Sequence, residues 1–189
     1  MARRDILIVE NNADDLFFLK RALRSAGVAA NLYSVSDGRS AVRYLEGEGE
    51  YSDRSRFPLP WLIFLDLKLP YRSGIEVLEF IRGRVELQKI NVVVVTSSED
   101  NKDMRRTTEL GVNAYLLKPP TAYVIQKLFA SPQLAAEATV AAGTGKPKGR
   151  QFARNPWRYL YETQEIGWLF LAAGLGVIAL LFLILSLMQ

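Results

Sequence analysis

The sequence contains neither cysteine nor histidine. Without thiols there is no disulfide framework and no thiolate metal site, and cysteine usage says nothing of the redox compartment. Without imidazole the chain has no histidine base, no histidine metal ligand and no phosphohistidine of its own. Charge of one sign is also scarce: 24 Lys+Arg face 20 Asp+Glu, a net +4. Residues 1–141 hold 19 basic and 18 acidic side chains, whereas 142–189 hold five and two, so most of the excess lies in the tail. Long apolar runs are absent up to residue 165, and the MARRDILIVE start is too short in its apolar part for a signal peptide. From Ile166 to Gln189 no residue is charged.

What is present is a sequence of short aliphatic runs alternating with helix-period segments. Ile6–Val9, Asn31–Val35, Trp61–Leu65, Val92–Val95 and Ala114–Leu117 read as five strands, several apolar on every residue, as a sheet covered on both faces requires. Helices are expected from Asp14-Asp15 to Gly27, after Asp37-Gly38, after Ser73-Gly74, over Asn101–Leu110 and over Thr121–Phe129. Glu46–Pro60, rich in Gly, Glu, Ser, Asp and Pro, reads as a solvated loop. Five strand–helix alternations predict an α/β fold with a doubly wound five-stranded parallel sheet and right-handed crossovers.

Such a sheet gathers the carboxyl ends of its strands at one edge, where ligands bind. Glu10 and Asn11 follow the first strand, Asp66 the third, Thr96 the fourth and Lys118 the fifth. An acid, an amide, a hydroxyl and an ammonium thus surround Asp66. This is a set suited to an oxyanion held on a carboxylate: Asp66 as nucleophile, a divalent cation offsetting charge, Thr96 and Lys118 gripping phosphoryl oxygens. The bland alternative for Asp66 is a loop or helix cap, and for Tyr115 a core side chain.

The motifs ILIVENNADD, FLDLKLP with Gly74 eight residues past Asp66, VVVVTSS and AYLLKPP, with 30 residues from Asp66 to Thr96 and 22 from there to Lys118, together resemble a response-regulator receiver domain over roughly residues 4–130. The LDLKLP and NAYLLKP forms and the long acidic loop are most similar to stand-alone receivers paired with phytochrome-type kinases. The resemblance implies a flavodoxin-like (βα)5 domain that is not an enzyme beyond Mg²⁺-dependent self-phosphorylation and dephosphorylation. It implies phosphoryl acceptance on Asp66 from a histidine kinase, with Mg²⁺ held by Glu10, Asn11, Asp66 and the Lys68 backbone carbonyl. It also implies a switch in which Thr96 moves and Tyr115 turns inward. One position departs from the family's pattern of two acids after the first strand: the second is Asn11, an amide that ligates without bringing charge, which weakens Mg²⁺ binding.

The organisation expected is a receiver-like domain over 1–130, an Ala/Gly-rich and then basic, aromatic linker over 131–165, and one transmembrane helix over 166–189. Gly167–Met188 is 22 residues, about 33 Å of helix against a hydrocarbon core of about 30 Å. Lys146, Lys148, Arg150, Arg154 and Arg158 flank it, which places the domain in the cytoplasm as a single-pass protein of the inner membrane and offers the linker to anionic lipids rather than to nucleic acid. Ala172 and Gly176 form a small-residue packing pair. Two readings follow: a membrane-anchored signalling receiver, and an accessory subunit of an integral membrane complex, respiratory or photosynthetic for instance, with a degenerate metal site.

Overall fold

The computed structural model of the chain describes residues 4–98 and 100–131. The expected linker and span, with Gly167–Met188, Ala172 and Gly176, lie outside the described residues. Among the described residues no helix is long and apolar enough to cross a membrane.

The five expected strands form with small shifts at their ends: β1 Arg4–Val9, β2 Ala30–Val35, β3 Leu62–Leu65, β4 Asn91–Thr96 and β5 Ala114–Leu117. They alternate with α1 Ala13–Ser25, α2 Gly38–Glu46, α3 Gly74–Gly83, α4 Asn101–Glu109 and α5 Ala122–Ala130. All neighbours are parallel in the order β2-β1-β3-β4-β5. Chain order reverses direction beside β1, between β1 and β3, which makes a crevice at the carboxyl ends of those two strands. Here α1 packs beside α5, while α2, α3 and α4 pack in succession, the two-sided cover that right-handed crossovers produce.

All four residues of β3 are at most 1% exposed. Each such Leu, Ile or Phe contributes about 1.5–3 kcal/mol of burial, so the strand that carries Asp66 on its end is among the most firmly held parts of the fold. Trp61, expected as the first residue of this strand, precedes it and is half-buried, with the Arg4 guanidinium 4.8 Å from its ring centre and the Phe129 ring 6.0 Å away.

The loop expected over Glu46–Pro60 is mostly exposed and is also fastened to the domain. Residues Gly49–Tyr51 form a 3-10 turn, and Tyr51 and Phe57 pack on Tyr44 with ring centres 5.2 and 6.0 Å from it. Arg54 donates to the carbonyls of Tyr44 (2.7 Å), Leu45 (2.7 Å) and Phe57 (3.2 Å), tying the loop to the open carboxyl end of α2. Tyr44 is 1% exposed and donates to Pro58 O, and its burial pushes the phenol well above its ordinary range. Polar composition marks this segment as loop; two aromatics and one guanidinium fasten it down.

Candidate phosphoryl-acceptor site

Each site residue is placed by an element the sequence specifies locally. Glu10 and Asp66 continue the sheet ladder one residue past β1 and β3: Glu10 N donates to Val35 O and Asp66 N to Val9 O, both at 3.0 Å. Lys118 follows β5 in the same way, its N–H reaching Thr96 O at 3.0 Å. The Lys118–Pro119 bond is cis. Gly74, at the start of α3, lies so close that a Cβ there would sit 2.0 Å from Asp66 O. Only a residue without a side chain lets α3 begin against the backbone of Asp66.

Lys118 is the centre of the arrangement. Its Nζ donates to Glu10 Oε2 at 2.6 Å, Asp66 Oδ2 at 2.7 Å and Asp15 Oδ2 at 3.0 Å, one acceptor for each of its three N–H bonds. Burial alone would lower the pKa of this ammonium; its bonds to Asp66, Glu10 and Asp15 outweigh that and push it up to about 12. Burial raises the Glu10 carboxyl above its ordinary value, against the pull of Lys118 and of the Asn12 N–H at 3.0 Å. Asp66, 5% exposed, also accepts from the Lys68 N–H at 3.2 Å through its other oxygen.

The structure therefore joins Glu10, Asp66 and Lys118 by direct contact. Thr96 stands at the same edge, fully buried at the end of β4, where its hydroxyl accepts from Ser98 N at 3.2 Å. Tyr115 already lies inward: it is 2% exposed, and its hydroxyl donates to Ser98 O at 2.7 Å. Burial pushes that phenol up to about 12. Asn11 is exposed and outside the bonds that meet on Lys118.

Sequence reasoning missed Asp15, which it read as a helix-end acid like Asp14. Asn12 caps α1 by accepting from the N–H groups of both. That register leaves Asp14 exposed and turns Asp15, three residues into the helix, toward Lys118.

Among the described residues no three acids are grouped so as to hold a metal by themselves. The donor set at the edge nonetheless fits Mg²⁺ or Mn²⁺, which bind through one or two carboxylates and keep much of their water. Glu10 and Asp66 supply two carboxylates that touch a common ammonium, and Asn11, beside Glu10 in the chain, is exposed.

The sequence profile of the response regulator receiver domain matches residues 6–130. Response regulator Rcp1 of Synechocystis sp. is 38% identical over 113 residues, 60% of this chain and 75% of that protein. The phosphorylated cyanobacterial phytochrome response regulator RcpA has a similar solved structure, with a TM-score of 0.58 at 33% identity, covering 78% of this chain and all of that one. The Mn²⁺-bound form of Rcp1 gives 0.58 at 32% identity over 77% and 99% of the two chains. Domains of this kind are phosphoryl acceptors rather than catalysts, take the group from histidine kinases, and bind Mg²⁺ or Mn²⁺. With the profile matched over well more than half of its length, the chain belongs to the response-regulator receiver family.

Proposed function

We propose that the protein is a membrane-anchored response regulator whose Asp66 accepts a phosphoryl group from a histidine kinase of the phytochrome type. The observation that carries this reading is the grip of Lys118 on Asp66 Oδ2 at 2.7 Å, beside Glu10, at the carboxyl edge of a buried sheet. In the transfer, an Asp66 oxygen forms a bond to phosphorus as the phosphorus–nitrogen bond of the kinase phosphohistidine breaks. The bonding pair leaves on the imidazole nitrogen. Lys68 N–H holds one carboxylate oxygen and Lys118 the other, so the nucleophile is oriented before the donor arrives. Lys118 and the Thr96 hydroxyl then take phosphoryl oxygens, Thr96 donating its O–H while its oxygen accepts from Ser98 N. Glu10, Asn11, Asp66 and the Lys68 carbonyl would hold a divalent cation, which when bound would supply positive charge against the carboxylate and the phosphoryl oxygens.

The kinase type rests on the relatives named for phytochrome signalling. Membrane anchoring rests on the uncharged Gly167–Met188 stretch and its basic flank, which puts the receiver on the cytoplasmic side with its target in the same bilayer. The test is intact-mass measurement of the full chain in mild detergent with Mg²⁺ and acetyl phosphate. One added phosphoryl group is expected, absent from Asp66→Asn. No uptake at high donor and metal overturns the reading.

A further inference from the structure

Three carboxylates meet one ammonium at the sheet edge. Glu10, Asp66 and Lys118 are nearly closed off, with side chains 4%, 6% and 9% exposed, whereas Asp15 is 33% exposed and makes the longest of the three bonds. Without Asp15 the group would carry a net −1, a weak field for a divalent cation; Asp15 brings it to −2. A carboxylate at Asn11 would have the same effect, and Asn11 is neutral. Asp15 has a second consequence. Lys118 draws on Glu10 Oε2 and Asp66 Oδ2, two carboxylates a cation would share, and Asp15 is a third partner that takes part of the ammonium.

We infer that Asp15 is a positioning residue for the cation site: it supplies the charge missing at Asn11 and takes a share of Lys118, which leaves Glu10 and Asp66 freer to take a divalent metal. It does so through Lys118, not as a ligand. The inference rests on the receiver reading of this edge and adds a residue to it. Asp15 is placed by the α1 cap: Asn12 donates its N–H to Glu10 Oε1 and accepts from Asp15 N, so the acid at one end of this short turn is fixed relative to the acid at the other.

The test uses Mn²⁺ alone, followed by the paramagnetic resonance signal of the free ion, on the full chain in mild detergent. Asp15→Asn is expected to weaken Mn²⁺ binding about tenfold, the lower end of what losing a supporting carboxylate does to a metal site. Asp14→Asn, on the same turn but exposed, is expected to leave it within about twofold, as a solvent-screened charge does. Asn11→Asp placed in Asp15→Asn restores most of the loss and controls for misfolding. Equal affinity of Asp15→Asn and wild type, equal losses in Asp14→Asn and Asp15→Asn, or no Mn²⁺ binding by wild type overturns the inference. Phosphoryl uptake at saturating metal reads the other question. Uptake with an unchanged Asp15→Asn affinity removes only the role of Asp15; a weakened affinity with no uptake in wild type removes only the phosphoacceptor reading.

Discussion

Lys118 and Arg54 are both cationic side chains drawn in from solvent, and their surroundings differ in one respect. Arg54 donates to three neutral carbonyls at the end of α2 and in the loop beyond it. Lys118 donates to three carboxylates. A guanidinium among carbonyls bonds the acceptors at a helix end and fastens a loop, with no negative charge left over. An ammonium among three acids leaves a negative excess that a cation or a chemical step can use. Desolvation opposes both arrangements, and in the second it is spent on a site whose charges must later rearrange.

The largest effect expected from this contrast is in Arg54. Arg54→Met removes the donors from Tyr44 O, Leu45 O and Phe57 O and loosens the Tyr51–Phe57 packing on Tyr44. The expected loss is about 3 kcal/mol, from hydrogen bonds to a charged donor at about 1.5–3 kcal/mol each that water partly replaces. Denaturant unfolding checks it, and phosphoryl uptake per folded molecule should stay at the wild-type level. A fall in uptake as large as the fall in stability would erase the distinction between the two cations.

A smaller effect, dependent on pH, is expected at Lys118. Its folded pKa lies above the ordinary 10.5, at about 12. The folded state therefore holds this proton more tightly than the unfolded chain. That contribution is fully present below pH 10.5 and is lost as pH rises toward 12. Allowing for solvent screening, it is about 1 kcal/mol. Other groups also change the stability at high pH, so the measurement is the stability of wild type minus that of Lys118→Met at each pH, in which they cancel. This difference should shrink above pH 10.5.

Much of this contrast was legible in the sequence, and the unread parts share a cause. The strands announce themselves because each is a run buried on both faces, and their carboxyl ends place Glu10, Asp66, Thr96 and Lys118 at one edge once the sheet is parallel. Arg54 and Asp15 were not legible, because both act through a register that composition hides. Asp14 and Asp15 are equivalent as letters, and only the Asn12 cap decides which of them turns inward. Arg54 sits among Ser, Asp and Pro like any surface residue, and its partners are backbone carbonyls that no side-chain pattern reports. In both cases the informative signal was the end of a helix: the cap that opens α1 and the carbonyls that close α2.

Asn12 tests whether such a helix end also serves the chemistry. Its side-chain oxygen accepts from Asp14 N and Asp15 N at 2.9 and 3.0 Å, and its own N–H donates to Glu10 Oε1 at 3.0 Å. Asn12→Ala removes the cap and should cost about 1 kcal/mol of stability, while Asn12→Ser, which caps through its hydroxyl, should recover most of it. The backbone N–H to Glu10 survives in both variants, so Glu10 stays placed and any change in metal affinity reports the first turn of α1. Asn12→Ala is expected to weaken Mn²⁺ binding by less than Asp15→Asn does, since the carboxylate remains and only its placement loosens. The serine variant should bind as wild type does. If the alanine variant loses stability while its Mn²⁺ affinity is unchanged, the cap holds the helix alone, and Asp15 keeps its place by its bond to Lys118.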